Sequence, residues 1–146
     1  MIYIYVAILV LVIAVAVFRI GKRKQIEVHV DEYEFPSSVN RKDFIEPDKD
    51  LIVIAFTSAK CDSCQGVWEK VSVLDSEHVA VTKIEFEDSV GKKLHQRYSI
   101  EAVPTTIVCD SNGTTLKSYI GAATATDLWA GVASARGDEI QQCSNH

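Results

Sequence analysis

Two cysteines separated by two residues, Cys61 and Cys64, lie at the point where the spacing of apolar residues along the chain changes. The segment before them, residues 51–56, is an unbroken run of apolar side chains, which is typical of a fully buried strand. The segment after them, residues 62–74, repeats apolar positions at helical spacing. A buried strand that leads directly into a helix predicts an α/β domain.

The rest of the chain alternates between strands and helices. Further strands are predicted over residues 26–30, 79–86, 105–109 and 115–120, and helices over 39–44, 89–98 and 124–135. Asn112-Gly113 lies between the last two strands and indicates a hairpin. Crossover helices require parallel neighbours, whereas the hairpin adds an antiparallel pair. The predicted fold is therefore a mixed central sheet flanked by helices.

Apolar spacing also assigns buried faces to two of these helices. Val90 and Leu94 are expected to share one face of the helix over residues 89–98. The buried face of the last helix is expected to contain Leu128, Trp129 and Val132. The histidines show no ligand spacing, so we expect all of them at the surface; they are His29, His78, His95 and His146. Cys109 is predicted to be a buried free thiol, and a disulfide with Cys143 is the alternative in an exported domain.

Residues 1–18 contain no charged side chain and are rich in isoleucine, valine, leucine and alanine. As a helix they would measure about 27 Å at about 1.5 Å per residue, close to the hydrocarbon thickness of a bilayer. We therefore predict one N-terminal transmembrane helix. A secretory signal cleaved near Ala14-Val15-Ala16 and a buried core helix are the alternatives.

A basic cluster follows this apolar run. Its four residues, with no acid among them, are Arg19, Lys22, Arg23 and Lys24. Removing these four from the 15 basic residues leaves 11 against 20 acidic residues for residues 25–146, a net charge of −9. The acidic body disfavours nucleic acid as a partner, and the cluster lies where anionic lipid headgroups would be.

The same cluster predicts which side of the membrane holds the domain. By the positive-inside rule the soluble part is cytoplasmic, and the extracytoplasmic face is the alternative. The chain is divided into an anchor over residues 1–20, a basic juxtamembrane linker over 21–26, a folded domain over 27–136 and a flexible tail over 137–146.

The Cys61-Asp62-Ser63-Cys64 motif carries the chemistry. Unpaired N–H groups at a helix N-terminus favour an anion, so Cys61 is expected to form a reactive thiolate. Two intervening residues let Cys64 reach Cys61, so the pair can cycle between dithiol and disulfide. Cys61 would attack a substrate disulfide, and Cys64 would resolve the mixed disulfide. Half of a zinc site and an inert structural disulfide are the alternatives, and no second ligand pair follows at zinc spacing.

The chain resembles the thioredoxin family over about residues 27–136. The resemblance rests on the apolar strand that leads into the cysteines, on Tyr98-Ser-Ile-Glu-Ala-Val-Pro-Thr105, and on Gly121 after the hairpin. It implies a thioredoxin-like fold in which Pro104 is cis and the backbone of Val103 binds an extended substrate segment. A cis X-Pro bond makes a tight bend, and an ordinary trans turn is the alternative.

Several positions depart from the family pattern. Lys60 replaces the tryptophan before the first cysteine, and Asp62-Ser63 replaces Gly-Pro. Lys60 should lower the pKa of Cys61, whereas Asp62 should raise it. Ala55 replaces a buried acid, and Glu85 replaces a buried lysine. One hypothesis gives the lost proton-transfer role to Glu85; the other treats Glu85 as a solvated edge carboxylate.

The sequence therefore predicts a membrane-anchored thiol–disulfide oxidoreductase, similar to the anchored thioredoxin-like proteins of bacteria. Its expected activity is reduction or exchange of cysteine pairs in substrate proteins, without a metal or organic cofactor. Its expected partners are a protein thiol or disulfide substrate, a redox protein that donates or accepts electrons, and the lipid bilayer. The alternative is a membrane-tethered binding or redox-sensing module without turnover.

Overall fold

The fold is seen in a computed structural model that describes residues 33–143, with side chains described as far as Gly137. Contacts divide the chain into two units, Met1–Tyr33 and Glu34–His146. The predicted anchor over residues 1–20, the linker over 21–26 and the strand over 26–30 lie outside the described residues. Among the helices of the described part, none combines the length and the apolar character needed to span a bilayer.

The described elements follow the predicted order. They are β1 (Leu51–Thr57), α1 (Cys64–Ser72), β2 (Val79–Glu85), α2 (Ser89–Arg97), β3 (Thr105–Cys109), β4 (Thr115–Ile120) and α3 (Ala125–Cys143). The strand order is β2-β1-β3-β4, with β1 parallel to β2 and antiparallel to β3, and β3 antiparallel to β4. The predicted mixed sheet with helices is confirmed.

All seven residues of β1 are buried, because the strand is covered on both faces. One face packs against α1 and α3 through the side chains Leu51, Val53, Ala55, Val67, Val71, Leu128 and Val132. The other face packs against α2 and the segment before β1 through Ile52, Ile54, Phe56, Leu94, Tyr98, Val39 and Phe44. The continuous apolar run is thus explained by a central strand between two layers of core.

The buried face of α2 differs from the prediction. It consists of Gly91, Leu94 and His95, which is the spacing of one helical face, and the buried Tyr98 follows at the C-cap. Val90 is 65% exposed, and His95 is only 2% exposed, so the surface prediction for His95 was wrong. The ring of His95 packs edge-on against two phenylalanines, and its Nδ1 lies 2.9 Å from the Gly91 carbonyl oxygen.

The last helix also corrects the prediction. Leu128 and Val132 are buried, but Trp129 is 55% exposed because it lies about 100° round the helix from Leu128. The helix continues to Cys143, beyond the predicted end at Ala135, through residues 137–143 that were expected in a flexible tail. Only a 3₁₀ turn, Arg41–Asp43, occupies the helix predicted over 39–44.

A buried arginine just before β1 forms hydrogen bonds with the backbone of two loops. Arg41 is 6% exposed, and its guanidinium donates hydrogen bonds of 3.0–3.2 Å to backbone carbonyls of Glu46, Pro47, Lys49 and Asp110. The last of these belongs to the hairpin between β3 and β4. Gly113 in that hairpin has φ +88°, and a Cβ there would lie 1.9 Å from the Val39 carbonyl oxygen. Arg41 therefore joins two loops: it supplies the donor for the Pro47 and Lys49 carbonyls, and it adds a second donor to the Glu46 and Asp110 carbonyls, which also accept from the Lys49 and Gly113 N–H groups.

Candidate active site

The two cysteines lie in the loop that connects β1 to α1. The Cys61 N–H donates to the Ser58 carbonyl at 3.1 Å, and the Cys64 N–H donates to the Cys61 carbonyl at 3.2 Å. Cys61 and Cys64 form a disulfide, with their Cα atoms 5.4 Å apart. Cys64 is buried in the first turn of α1, whereas Cys61 is half-buried. An incoming partner can therefore reach Cys61 first.

Exposed polar residues surround the accessible cysteine. Lys60, Asp62 and Ser63 are all exposed, and the Ser63 hydroxyl lies 3.7 Å from the Cys61 sulfur. The regular helix begins at Cys64, two residues later than the predicted start, with Ser63 at the N-cap position. The effects of Lys60 and Asp62 on the Cys61 thiol stay predictions.

Proline 104 lies at the same end of the sheet. The Val103–Pro104 peptide bond is cis, as the resemblance to the thioredoxin family implies, and the alternative of a trans turn is wrong. Phe56 pairs with Thr105, so Pro104 comes level with Thr57, where β1 ends and the chain turns towards the cysteines. The Pro104 carbonyl accepts a hydrogen bond from the Gly121 N–H at 2.8 Å, while the main chain of Val103 has no hydrogen-bond partner within residues 33–143.

Sequence reasoning missed Glu87, which joins the loop after β2 to the loop before Cys61. Its two carboxylate oxygens accept hydrogen bonds from the Ser58 hydroxyl at 2.6 Å and from the Ala59 N–H at 2.9 Å. These two hydrogen bonds hold the pKa of Glu87 below its usual value, and attraction by Lys60 adds a smaller effect. The sequence signal is only that Glu87 follows a strand parallel to β1, at the end where the cysteine loop begins.

Comparison with known proteins places this geometry in a family. The family model described as Thioredoxin matches residues 27–134. The chain belongs to the thioredoxin family. No curated protein sequence shows a significant match to it. A thioredoxin domain with an accessible cysteine bonded to a buried one supports a thiol–disulfide oxidoreductase.

Solved thioredoxin structures share the fold. The germline-specific thioredoxin Deadhead of Drosophila melanogaster is 27% identical, with a TM-score of 0.52 over 60% of this chain and 83% of its own. The thioredoxin of Fasciola hepatica is 25% identical, with a TM-score of 0.53 over 62% and 85%. Thioredoxin f2, in a complex with ferredoxin:thioredoxin reductase, is 22% identical, with a TM-score of 0.53 over 62% and 81%.

Within this thioredoxin domain, Ala55 stands where the resemblance implies a buried acid, and its neighbours on the sheet are polar. Ala55 is fully buried and lies between Lys83 on β2 and Thr106 on β3. Thr106 is 1% exposed, and its hydroxyl has no hydrogen-bond partner in the described part of the chain. The lysine that neighbours Ala55 in the register is thus Lys83, and Glu85 lies beside Thr57.

Glu85 is an ion-paired, half-buried carboxylate. The Lys83 ammonium lies 3.3 Å from a Glu85 carboxylate oxygen, and the two side chains are 29% and 31% exposed. Both residues lie on the face of the sheet that carries Ala55 and packs against α1, since they alternate with Ile84 on the strand. The hypothesis that Glu85 transfers protons to or from the cysteines stays a prediction.

The third described cysteine lies far along the sheet from the disulfide. Cys109 pairs with Ile52 near the start of β1, is fully buried and is a free thiol, as predicted. Burial raises the pKa of the Cys109 thiol to about 11. The side chain of Cys143 lies outside the described residues. Cys109 therefore has neither the exposure nor the ionisation of a reactive thiol.

Proposed function

We propose that this chain is a membrane-anchored thiol–disulfide oxidoreductase that acts on cysteine pairs in other proteins. The observation that carries the proposal is the difference in exposure within the disulfide, where Cys61 is accessible and Cys64 is 3% exposed. A purely structural disulfide has no need for one accessible sulfur at the end of the sheet where the cis-proline lies. This difference in exposure fits a mechanism in which Cys61 reacts with the substrate and Cys64 reacts only with Cys61.

The reaction transfers two electrons. In the reduced chain, the Cys61 thiolate attacks one sulfur of a substrate disulfide; a mixed disulfide forms, and the other substrate sulfur leaves as a thiolate that takes up a proton. The Cys64 sulfur, after losing its proton, then attacks the Cys61 sulfur. The Cys61–Cys64 disulfide forms, and the substrate leaves with both of its cysteines reduced.

The loop before β3 is the proposed substrate-binding segment. Val103 precedes the cis-proline, is half-buried, and has main-chain groups with no partner among residues 33–143. An extended substrate segment can supply those partners by pairing along the backbone. Such pairing gives affinity without demanding one substrate sequence, which suits an enzyme that handles cysteine pairs in different proteins.

A redox partner and a membrane complete the proposal. The oxidised chain needs two electrons for each turnover, and a complex of a thioredoxin with a reductase is among its structural relatives. The proposed anchor, residues 1–20, contains the uncharged apolar run 1–18, and the basic cluster in residues 19–24 favours a cytoplasmic domain. A cytoplasmic domain of this kind would work as a reductase.

The first test is the reduction potential of the full chain in detergent, equilibrated with dithiol and disulfide buffers. A potential near or below about −250 mV supports a reductase, and one above about −180 mV supports an oxidant and argues against the cytoplasmic assignment. Reduction of a disulfide-linked peptide should be abolished in Cys61→Ser, and Cys64→Ser should accumulate the mixed disulfide. Cys109→Ala is the matched control, since it removes a thiol outside the pair.

The tethered binding module makes the opposite prediction. If Cys61→Ser retains full function in cells, or if no Cys61–Cys64 disulfide forms at any buffer ratio, the oxidoreductase proposal fails. Exposure of the domain to a membrane-impermeant thiol reagent in oriented vesicles tests the topology separately.

A further inference from the structure

The turn that presents Cys61 is held from outside by one carboxylate. We define the active-site turn as residues 58–61. Within it, the Ser58 carbonyl accepts from the Cys61 N–H at 3.1 Å, and the Ser58 hydroxyl accepts from the Lys60 N–H at 3.2 Å. The same hydroxyl donates to Glu87, which also accepts from the Ala59 N–H. Glu87 thus contacts the turn at two consecutive residues.

The segment that carries Glu87 is itself well placed. The Phe86 N–H donates to the Thr57 carbonyl at 2.9 Å, which continues the β1–β2 pairing by one residue. The Asp88 N–H donates to the Glu85 carbonyl at 3.1 Å. A Cβ on Gly91 would lie 1.9 Å from that carbonyl oxygen, so α2 packs closely over the end of β2. The backbone on both sides of Glu87 is therefore anchored to the sheet.

We propose that Glu87 is a positioning residue that fixes the active-site turn and thereby sets the rate at which Cys61 exchanges disulfides. The proposal rests on the oxidoreductase function proposed above. Glu87 does not touch the sulfur; it acts through Ser58, whose carbonyl and hydroxyl hold the next residues of the turn.

The exposure of these groups explains why one carboxylate is needed. Ser58 is half-buried, and Ala59, Lys60 and Glu87 are exposed, so no core packing holds the turn in place. Without Glu87, the Ser58 hydroxyl and the Ala59 N–H would bond to water, and the turn would sample more conformations. Thiol–disulfide exchange needs the attacking sulfur aligned with the disulfide it attacks, so a mobile turn lowers the rate.

Two variants of Glu87 separate hydrogen bonding from charge. Glu87→Ala removes both, whereas Glu87→Gln removes the charge, keeps one oxygen that can accept from the Ala59 N–H, and offers an amide N–H to the Ser58 oxygen in place of the oxygen that accepts from it. Asp88→Ala is the matched control, because Asp88 carries the same charge one residue later and its side chain makes no hydrogen bond to the helix it precedes. Ser58→Ala alone and together with Glu87→Ala tests whether the two residues act as one unit.

Two readouts are measured on the reduced and oxidised full chain in detergent. The first is the rate constant for reduction of a disulfide-linked peptide, taken at the high-pH plateau where Cys61 is fully ionised. The second is hydrogen exchange of the Ala59 amide, which needs no activity. Glu87→Ala should slow the reaction about tenfold and speed exchange of the Ala59 amide about tenfold. Glu87→Gln should stay within about twofold of the unsubstituted chain, as should Asp88→Ala.

Several results would overturn the proposal. The first is a Glu87→Ala chain whose rate constant for peptide reduction, or whose rate of hydrogen exchange at the Ala59 amide, is unchanged. The second is a loss of rate in Glu87→Gln or in Asp88→Ala as large as in Glu87→Ala. The third is a double variant in which the separate effects of Ser58→Ala and Glu87→Ala on the rate constant multiply. If the unsubstituted chain reduces no disulfide, the proposed function fails, and the Ala59 amide still shows whether Glu87 holds the turn.

Discussion

The two ends of β1 are held by ionised side chains in opposite ways. Before the strand, the buried guanidinium of Arg41 donates to four backbone carbonyls. After it, the exposed carboxylate of Glu87 accepts from one hydroxyl and one N–H. Each side chain joins two loops that are distant in sequence, but only Arg41 is removed from water.

This difference in burial separates stability from reactivity. When a buried cation and the carbonyls it contacts are separated, the free energy of unfolding falls by several kcal/mol, because water does not replace the lost partner. At an exposed site water does replace it, so the fold tolerates the loss. We therefore expect substitutions before β1 to change unfolding, and substitutions after β1 to change chemistry.

The largest contrast is expected between the cysteines at the two ends of the sheet. In a reduced Cys143→Ser chain at pH 8, iodoacetamide should label Cys61 at least about a hundredfold faster than Cys109. Burial keeps Cys109 neutral at this pH, because its pKa of about 11 lies well above it. In guanidinium chloride the Cys109 rate should rise to that of an ordinary thiol. Comparable labelling of both cysteines in the folded chain would contradict the assignment.

Arg41→Met should give the largest loss of stability, about 3 kcal/mol or more in urea unfolding of the full chain. The methionine fills part of the space but leaves the Pro47 and Lys49 carbonyls without the donor that Arg41 supplies, and leaves the Glu46 and Asp110 carbonyls with one backbone N–H donor each. Lys42→Met is the matched control, since Lys42 is exposed and carries the same charge. Glu87→Ala should leave the urea midpoint almost unchanged. An equal shift of the urea midpoint in Arg41→Met and Glu87→Ala would contradict the proposed difference between the two ends of β1.

Two glycines sharpen the same contrast at the level of the backbone. Gly113, beside Arg41, has φ +88° and a carbonyl oxygen where a Cβ would go, so Gly113→Ala should destabilise the fold by about 2 kcal/mol. Gly66 lies in α1, just after Cys64, and nothing lies within 4 Å of an added Cβ. Gly66→Ala should stabilise the fold by about 0.5–1 kcal/mol. The measurement is the midpoint of thermal unfolding, which should fall in Gly113→Ala and rise in Gly66→Ala. Midpoints that move in the same direction would contradict the prediction.

The smallest expected effect is a pH dependence before β1. Asp43 accepts hydrogen bonds from Tyr98 and Arg97, and the Tyr98 hydrogen bond is the main reason why its pKa lies below the usual value. Its stabilisation is therefore complete above the unfolded pKa near 3.8 and is lost as the pH falls through the lower folded pKa.

Asp43→Asn should reduce the loss of stability between pH 5 and pH 3 by less than about 1 kcal/mol. The measurement is the urea midpoint at each pH. Asp48→Asn, an exposed aspartate of the same segment, is the control. A pH dependence in Asp43→Asn as steep as in the unsubstituted chain would contradict this assignment.

The sequence predicted those parts of the molecule that depend on local pattern. Residues 51–57 form a strand because every side chain is apolar or small enough to be buried, and β3 and β4 have the predicted bounds because the turn between them is marked by Asn112-Gly113. The cysteine site followed from the spacing of Cys61 and Cys64 between a strand and a helix, whereas the cis bond before Pro104 was implied only by the resemblance to the thioredoxin family.

The missed parts depend on partners that are distant in sequence. Arg41 and Glu87 carry no sequence prediction, because nothing near them in the chain shows the carbonyls and the hydroxyl that they contact. The face of α2 was misplaced for a different reason. Neither Gly91 nor His95 is an apolar residue type, so the spacing of apolar residues does not include them. Close packing of α2 over β2 nevertheless requires a glycine at position 91, and the ring of His95 packs against two phenylalanine rings.

The exposure of Lys60, Asp62 and Ser63 has an evolutionary consequence. These residues surround the reactive sulfur, but none of them contributes to the core, so selection can rewrite them without endangering the fold. A lineage can therefore change its preferred oxidant, reductant or client through this loop alone, while the strand behind it stays the same. The departure from Gly-Pro between the cysteines is the kind of variation that such freedom permits.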